Sequence, residues 1–418
     1  MAFLTSLFAG VSGLQNNQVM MDVIGNNIAN VNTIGYKKGR VEFTDMFSQT
    51  LRNASQPSAN LGGTNPLQVG LGMSIGSIDM DTSQGSFQST GLTSDMAIQG
   101  TGFFMVDQGG KTLYTRDGNV AFDTDGKLSN KSTGGVILGR LADTNGNIPP
   151  GAPIQDIVIK KDLTSPPKAT TEADFAGNLD STTAVNGTAQ TSQPIYDSLG
   201  ASHSLTITYT HTGNNTWTWA AAVTGGTTAS TGTITFNSDG TLNSITGNPV
   251  AITLNNGADP MSVTLNCGTP SATVPGNNTG VTQNAGNGAS TVAPLSQNGW
   301  AAGSLSNISV NADGTIVGAF TNNQSLTLGQ IMLADFANPN GLTRVGGNEF
   351  DVSGNSGEAV VKAAGTTSTI QTGVLEQSNV DLADEFTNMI TAQRGFQASA
   401  RVITVSDQFL DEVVALKR

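Results

Sequence analysis

Four groups of residues in this chain have types and spacings that chemistry could use. Gly72-Met-Ser74-Ile-Gly76 fits the G-x-S-x-G pattern, in which a hydrolase raises a nucleophilic serine on a strand-to-helix elbow and draws an acid and a histidine from further along. The flanks argue otherwise. Val69, Leu71, Met73 and Ile75 alternate as in a strand, and Ser77-Ile-Asp-Met-Asp-Thr82 continues as strand rather than helix. The two histidines, His203 and His211, share one face of a single strand with Leu205, Ile207 and Tyr209. Eight residues at ~3.3 Å each set them about 26 Å apart, too far to share a metal. Asp123-Thr-Asp125-Gly126 and Asp143-Thr-Asn145-Gly146-Asn147 open like calcium loops, but neither supplies the closing glutamate at the twelfth position, which from Asp143 is Ile154. Both read as hairpin turns. The single cysteine, Cys267, ends a strand-like run from Ser262 and can form no intrachain disulfide; it reads as a small strand residue, with a crosslink between chains as the alternative. There is no P-loop, no dinucleotide-binding glycine motif and no Cys/His cluster. The sequence therefore predicts no enzyme, with no catalytic residue, metal ligand or cofactor.

Composition narrows the field further. The 418 residues carry 12% charged and 6% aromatic side chains but 51 glycines, a profile of turn-rich β structure with small cores. The net charge is −13, and no Lys or Arg occurs between Lys168 and Arg344. Binding to nucleic acid or to an anionic membrane surface needs clustered cations, so both are excluded as partners. No run approaches the ~18 consecutive apolar residues of a membrane-inserted helix. Met1-Ala-Phe-Leu-Thr-Ser-Leu-Phe8 lacks a positive leader, the first cation being Lys37; export by a cleaved signal peptide is not expected.

The two ends read as helices. Leu4, Leu7, Val11, Leu14, Met21 and Ile28 fall on a 3-4 step interrupted by Gln18 and Gly25, a narrow seam suited to a partner helix, and Asn30-Val-Asn-Thr-Ile-Gly35 supplies the stop. At the other end the seam is Leu382, Phe386, Met389, Gln393, Phe396, Ala400, Ile403, Asp407, Leu410, Val414 and Lys417. A helix from 379 to 417 would be roughly 58 Å long. Ser378 and Asp381 form a candidate capping box; Asp384 and Glu385 complement the helix dipole at its start, and Lys417 and Arg418 do so at its end. Paired alone, the helices would leave Phe3, Phe8, Phe409 and Val413 in water. Burial against identical neighbours is the better solution, so self-assembly is expected, with the termini ordering on assembly.

Between the ends the period is two. Asp-Gly turns with β-prone flanks predict hairpins over 114–120, 122–128, 236–242 and 310–316. Ser48 to Gln68 is a polar connector, and breaks fall near Asn145–Pro153 and in the low-complexity stretch Gly276–Pro294. The predicted fold class is multidomain α+β: paired N- and C-terminal coiled-coil-like helices with two nested, mainly antiparallel β domains. The expected parts are a helical core (1–31 and 372–418), a connector (32–69), an inner β domain (70–145 and 297–371) and an outer β domain (146–296).

Several blocks carry a resemblance. Asp22-Val-Ile-Gly-Asn-Asn-Ile-Ala-Asn-Val-Asn-Thr-Ile-Gly-Tyr-Lys37 resembles the N-terminal signature of the flagellar rod and hook family, and Ser378-Asn-Val-Asp-Leu382 with Asn388-Met-Ile-Thr-Ala-Gln-Arg-Gly-Phe-Gln-Ala-Ser399 its C-terminal signature. Thr90 to Phe104 and Tyr114-Thr-Arg-Asp-Gly118 are similar to its first β domain. The length, Tyr196 to His203, Gly213 to Trp219, Gln297 to Leu305 and Leu328 to Asn338 resemble the hook members; across 220–295 the likeness fades. The resemblance implies a tube with the helices around an axial channel, the connector outside them and the β domains projecting outward. The tube would be the joint that passes motor torque to the filament. It also implies the partners: copies of the same chain, the distal rod protein, the hook cap protein, the hook-filament junction protein and the flagellar export apparatus. Competing readings are a distal rod subunit, which should lack most of 146–296, and a secreted β-rich adhesin, suggested by composition and by Trp217 and Trp219.

Overall fold

The computed structural model describes residues 2–57, 62–228, 230–269, 280–286, 288–365 and 367–415, with side chains from residue 5 onward. The expectations for the side chains of Phe3 and Leu4, for Lys417 and Arg418, and for the first residues of the 276–294 stretch lie outside the described residues. Two α-helices, α1 (Ala2–Ala29) and α2 (Leu382–Ala415), lie toward opposite ends of the chain, and the described residues between them are strand and turn apart from one 3-10 turn at Pro339–Gly341. Most strand pairs of the described residues are antiparallel, while Glu172–Asn178 runs parallel to Met261–Asn266 and to Val281–Thr282. The chain forms two compact units, one of Met1–Lys160, Ser309–Val317 and Thr327–Arg418, the other of Lys161–Ile308 and Gly318–Leu326. The second is thus inserted in the first.

Local chemistry accounts for the helix ends. α1 stops before Asn30, and the chain turns through Gly35 at φ +68, where a Cβ would meet the backbone of Arg116 at 2.8 Å. α2 is capped by Asp381, whose Oδ1 accepts the amide of Ala383 at 2.8 Å. Ser378 is not the cap; its hydroxyl accepts the amide of Val380 at 3.3 Å, two residues before the helix begins. The carboxylate directly before the first turn is the acceptor that reaches its free amides.

In the first unit, strand Phe103–Asp107 pairs with Thr112–Thr115, Val136–Leu141 and Ser325–Asp335. Phe103, Tyr114, Phe336 and Phe350 close the core edge to face, Tyr114 and Phe336 at 4.8 Å between centroids. Asp125-Gly126 does turn a hairpin, from Val120–Phe122 to Leu128–Asn130, as Asp239-Gly240 does between Thr231–Phe236 and Leu242–Ile245. Gly303–Val310 and Thr315–Phe320 are likewise neighbours around Asp313-Gly314. Asp117-Gly118 is different. Thr112–Thr115 pairs with Glu349–Asp351 rather than with Val120–Phe122, and a Cβ on Gly118 would stand 1.6 Å from the carbonyl oxygen of Met96. Here glycine serves a buried crossing rather than a surface turn. Residues 146–160, expected in the outer domain, belong to the first unit. Gln155–Asp156 pairs with Val136–Leu141, and Ile157 and Ile159 are buried. The connector is also more regular than a polar linker. Gly39–Asp45 pairs with Met73–Met80, and Ser48–Arg52 with Leu67–Gly70.

The second unit packs a five-stranded antiparallel sheet (Thr188–Tyr196, Ser202–Gly213, Thr216–Val223, Thr231–Phe236, Leu242–Ile245, adjacent in that order) over one core with a six-stranded mixed sheet of shorter strands. Trp217 and Trp219 lie wholly inside that core, so they present no aromatic platform of the kind an adhesin would use. Cys267 sits there too, 1% exposed, and burial raises its thiol to about 11. Asp180 ties down the 282–291 loop. The amides of Gly286 and Thr182, the Thr182 hydroxyl and the amide of Gly288 all donate to its carboxylate, which they hold at about 2. The folded value lies below the unfolded ~3.9, so this group stabilises the unit above pH ~4 and the contribution is lost as pH falls toward 2. Tryptophan fluorescence of the full chain, whose three tryptophans (Trp217, Trp219 and Trp300) all lie in the second unit, should show Asp180→Asn weakening the fold at neutral pH and flattening its loss below pH 4. An unchanged acid limb would assign that loss to other carboxylates.

Candidate assembly surface

α1 and α2 run antiparallel along each other, and their closest approaches fall at small or polar residues. A Cβ on Gly10 would lie 3.1 Å from Ile403 Cγ1, on Gly13 2.7 Å from Ser399 Oγ, and on Gly395 2.9 Å from Asn17 Oδ1. Ser6 and Ser406 hydroxyls stand 3.5 Å apart, and Asn27 Nδ2 donates to Glu385 Oε2 at 3.2 Å. Missing side chains let the backbones approach closely, and that geometry selects glycine and serine here. The inward stripe of α1 is Gly10, Gly13, Ile24 and Asn27, one position before the apolar seam; on α2 the buried residues are Glu385, Ala392 and Ser406.

The apolar seam is therefore only partly used by the intrachain contact, which Ile403 joins beside Gly10. Val11, Leu382, Phe386, Leu410 and Val414 are exposed, Phe386 at 51% and Val414 at 66%; Leu7, Leu14, Met21, Ile28, Met389, Phe396 and Ile403 are half-buried. Phe8, Phe409 and Val413 are exposed as expected for a bare helix pair, joined by Ile390, Val402 and Val405. Another face of α1 is covered by the chain entering strand Met73–Met80: Asn16 Nδ2 donates to the carbonyl of Met73 at 2.7 Å, and Gly72 packs on Ser12 and Ala9. A bulky side chain at the close contact should separate the helices. Gly13→Leu is expected to cost about 1–3 kcal/mol of overpacking, read as loss of helical circular dichroism with the β signal kept.

Beyond the helix ends lies a buried ionic cluster. Lys37 Nζ donates to Glu376 Oε1 at 2.6 Å and to the carbonyl of Ser83 at 2.7 Å; the amide of Gly85 donates to the same Oε1 at 2.9 Å. Arg116 reaches Glu376 Oε2 at 3.4 Å and the carbonyl of Gly100 at 2.7 Å, its guanidinium 5.0 Å above the Phe103 ring. All three side chains are 1% exposed or less. Burial pulls both cations below their usual range, against the attraction of Glu376. Lys37 follows α1 by eight residues and Glu376 precedes α2 by six, so the cluster fastens both helix roots to three β segments. Nearby, the amide of Lys38 donates to Asn379 Oδ1 at 2.8 Å, and Arg344 stacks 5.1 Å over the Tyr36 ring.

The chemical candidates are absorbed by structure. Ser74 lies in the strand Met73–Met80 and pairs with the Thr44 hydroxyl at 3.0 Å, with no elbow after it. His203 joins Asp197 Oδ2 at 2.9 Å to the Thr224 carbonyl at 3.0 Å; His211 contacts the Thr183 carbonyl at 2.7 Å and stacks against Trp217. Asp123 and Asp143 spend their carboxylates on the amides of their own turns, at 2.8 to 2.9 Å. Among the described residues no three metal-ligating side chains cluster.

Four family models match successive parts of the chain: "Flagella basal body rod protein" over 7–37, "Flagellar hook protein FlgE/F/G D1 domain" over 97–166, "Flagellar basal body protein FlaE D2 domain" over 162–300, and "Flagellar basal body rod FlgEFG protein C-terminal" over 371–416. The chain is 40% identical to the flagellar hook protein of Borreliella burgdorferi and 38% identical to that of Treponema pallidum, each alignment covering 99% of both chains. The chain belongs to the flagellar hook protein family. It is a structural hook subunit of the external flagellum, and the hook reading stands over the rod and adhesin readings. The crystal structure of Helicobacter pylori hook protein FlgE2 shares the fold, with a TM-score of 0.50 at 14% identity over 69% of this chain and 100% of that one. The inserted unit of this hook protein corresponds closely to the D2 match. Sequence reasoning quoted Lys37 and Arg116 inside separate signature blocks but missed that they meet, and it missed Glu376.

Proposed function

We propose that subunits join through the outward face of the α1–α2 pair, laying the helices around the axis of a tube, with the β units directed outward. The observation that carries this is the division of labour on the helices: glycine, serine and asparagine close the pair, while Phe386, Leu410 and Val414 face out. Exposed apolar surface on that scale is covered in a working protein, and identical copies supply a matching face. The assembly seam is then Leu4, Leu7, Val11, Leu14, Met21, Ile28, Leu382, Phe386, Met389, Phe396, Ile403, Leu410 and Val414, its half-buried members shared with the intrachain contact. The helical core, connector, inner β domain and outer β domain would succeed one another from the axis outward.

The tube acts as a universal joint, its helical wall resisting torsion while outer contacts yield. Among the described residues, the one acid–base contact with both partners between residues 169 and 343 is His203–Asp197. Outer surfaces without fixed ion pairs make exchangeable contacts, so engineered salt bridges there should stiffen or straighten the tube; unchanged bending would sink this part of the reading. The subunit leaves the cell through the flagellar type III export apparatus and adds under the hook cap protein, between the distal rod protein and the hook-filament junction protein.

Negative-stain electron microscopy under polymerising conditions tests this against a chain lacking residues 1–31. Curved tubes from the full chain and none from the truncation are expected. Straight tubes would point to a rod subunit, and equal polymer from both chains would remove the helices from assembly.

A further inference from the structure

The cluster of Lys37, Arg116 and Glu376 is a costly way to hold a junction. Two cations and one carboxylate are withdrawn from water, and well-packed apolar side chains of similar volume commonly hold such a site as firmly. What the charged cluster adds is direction. The two oxygens of Glu376 are engaged by donors from three segments, the chain leaving α1, the chain after strand Met73–Met80, and Arg116 beyond strand Thr112–Thr115. Arg116 is in turn pinned to the carbonyl of Gly100 and sits over the Phe103 ring. Apolar contacts permit sliding at little cost, whereas hydrogen bonds to buried charges weaken steeply as they bend.

We propose that this cluster is the torsional coupling of the subunit: Lys37, Arg116 and Glu376 are positioning residues that fix the azimuth of the helix pair against the inner β unit. Twist applied to the tube wall is thereby passed outward without slippage inside the subunit, and the yielding is left to contacts between subunits. The inference rests on the hook reading above and adds to it the residues that carry torque within one subunit.

The test replaces adhesion without direction. In full-length chain, Lys37→Met, Arg116→Met and Glu376→Leu together keep volume and remove every charge. The triple variant is expected to fold, to melt close to the parent and to polymerise, but its tubes should lose uniform curvature in electron micrographs and show greater rotational excursion of tethered beads. Parent curvature and parent excursion in well-formed variant tubes would overturn the proposal, because a merely adhesive cluster predicts that result. If the triple variant fails to fold, Lys37→Arg decides: it keeps the charge and changes the donor geometry, so altered curvature supports the coupling and parent curvature overturns it. Failure of the unmodified chain to form curved tubes would count against the hook reading itself, and is seen before any variant is made.

Discussion

Leu410→Asp is expected to abolish tube formation while leaving both β units folded. Leu410 is 40% exposed in the isolated subunit, on a stretch of α2 past Ser406 that has no buried residue. Joining a neighbour would remove about 2 kcal/mol worth of apolar surface from water at this one side chain. An aspartate there forfeits that and must also shed hydration, a cost of several kcal/mol when unpaired. At 1.4 kcal/mol per decade, the critical concentration for polymerisation should rise by at least ~100-fold. Sedimentation of polymer measures it, and β circular dichroism should match the parent. Phe386→Asp should behave alike. Phe396→Asp should differ, since Phe396 is half-buried and shares the spacing of the inward stripe, so its helical signal should fall as well. Loss of the β signal in Leu410→Asp would show that the helices hold up the monomer.

Glu376→Gln should be the most damaging conservative change in the first unit. It preserves shape and removes the one charge between Lys37 and Arg116, leaving two buried cations uncompensated. Breaking one partner of a buried pair costs about 3–5 kcal/mol, which in a unit of this size lowers the melting temperature by roughly 10 °C. Thermal unfolding followed at a strand probe in 103–107 reads the effect. A shift under about 2 °C would mean that water reaches the site and screens it.

The period of the apolar residues made both helices legible, and Asp-Gly pairs made three of four hairpins legible. What hid was anything decided by the absence of a side chain. The α1–α2 contact is chosen by Gly10, Gly13 and Gly395, and on α1 a pattern built on large apolar residues reports the neighbouring face. The seam predicted from Leu7, Val11 and Leu14 thus stands one residue away from the residues of α1 that pair the helices. Asp117-Gly118 carried the letters of a turn, yet the 1.6 Å approach of the Met96 carbonyl to a would-be Cβ is a tertiary fact with no local trace. The Pro149-Pro150 pair suggested a domain break that falls later, because Ile157 and Ile159 reach back into the first core. Glu376 meets partners 339 and 260 residues away in sequence, beyond any spacing rule.

The burial of Cys267 has a practical consequence. A thiol that is 1% exposed and held at about 11 stays protonated and sheltered at neutral pH, and protonated thiols are poor nucleophiles. Any cysteine engineered on the exterior would then be the sole site open to a maleimide dye or a spin label. Fluorescence transfer between labels on neighbouring subunits could follow the working joint as it turns, with every native residue other than the labelled one left in place.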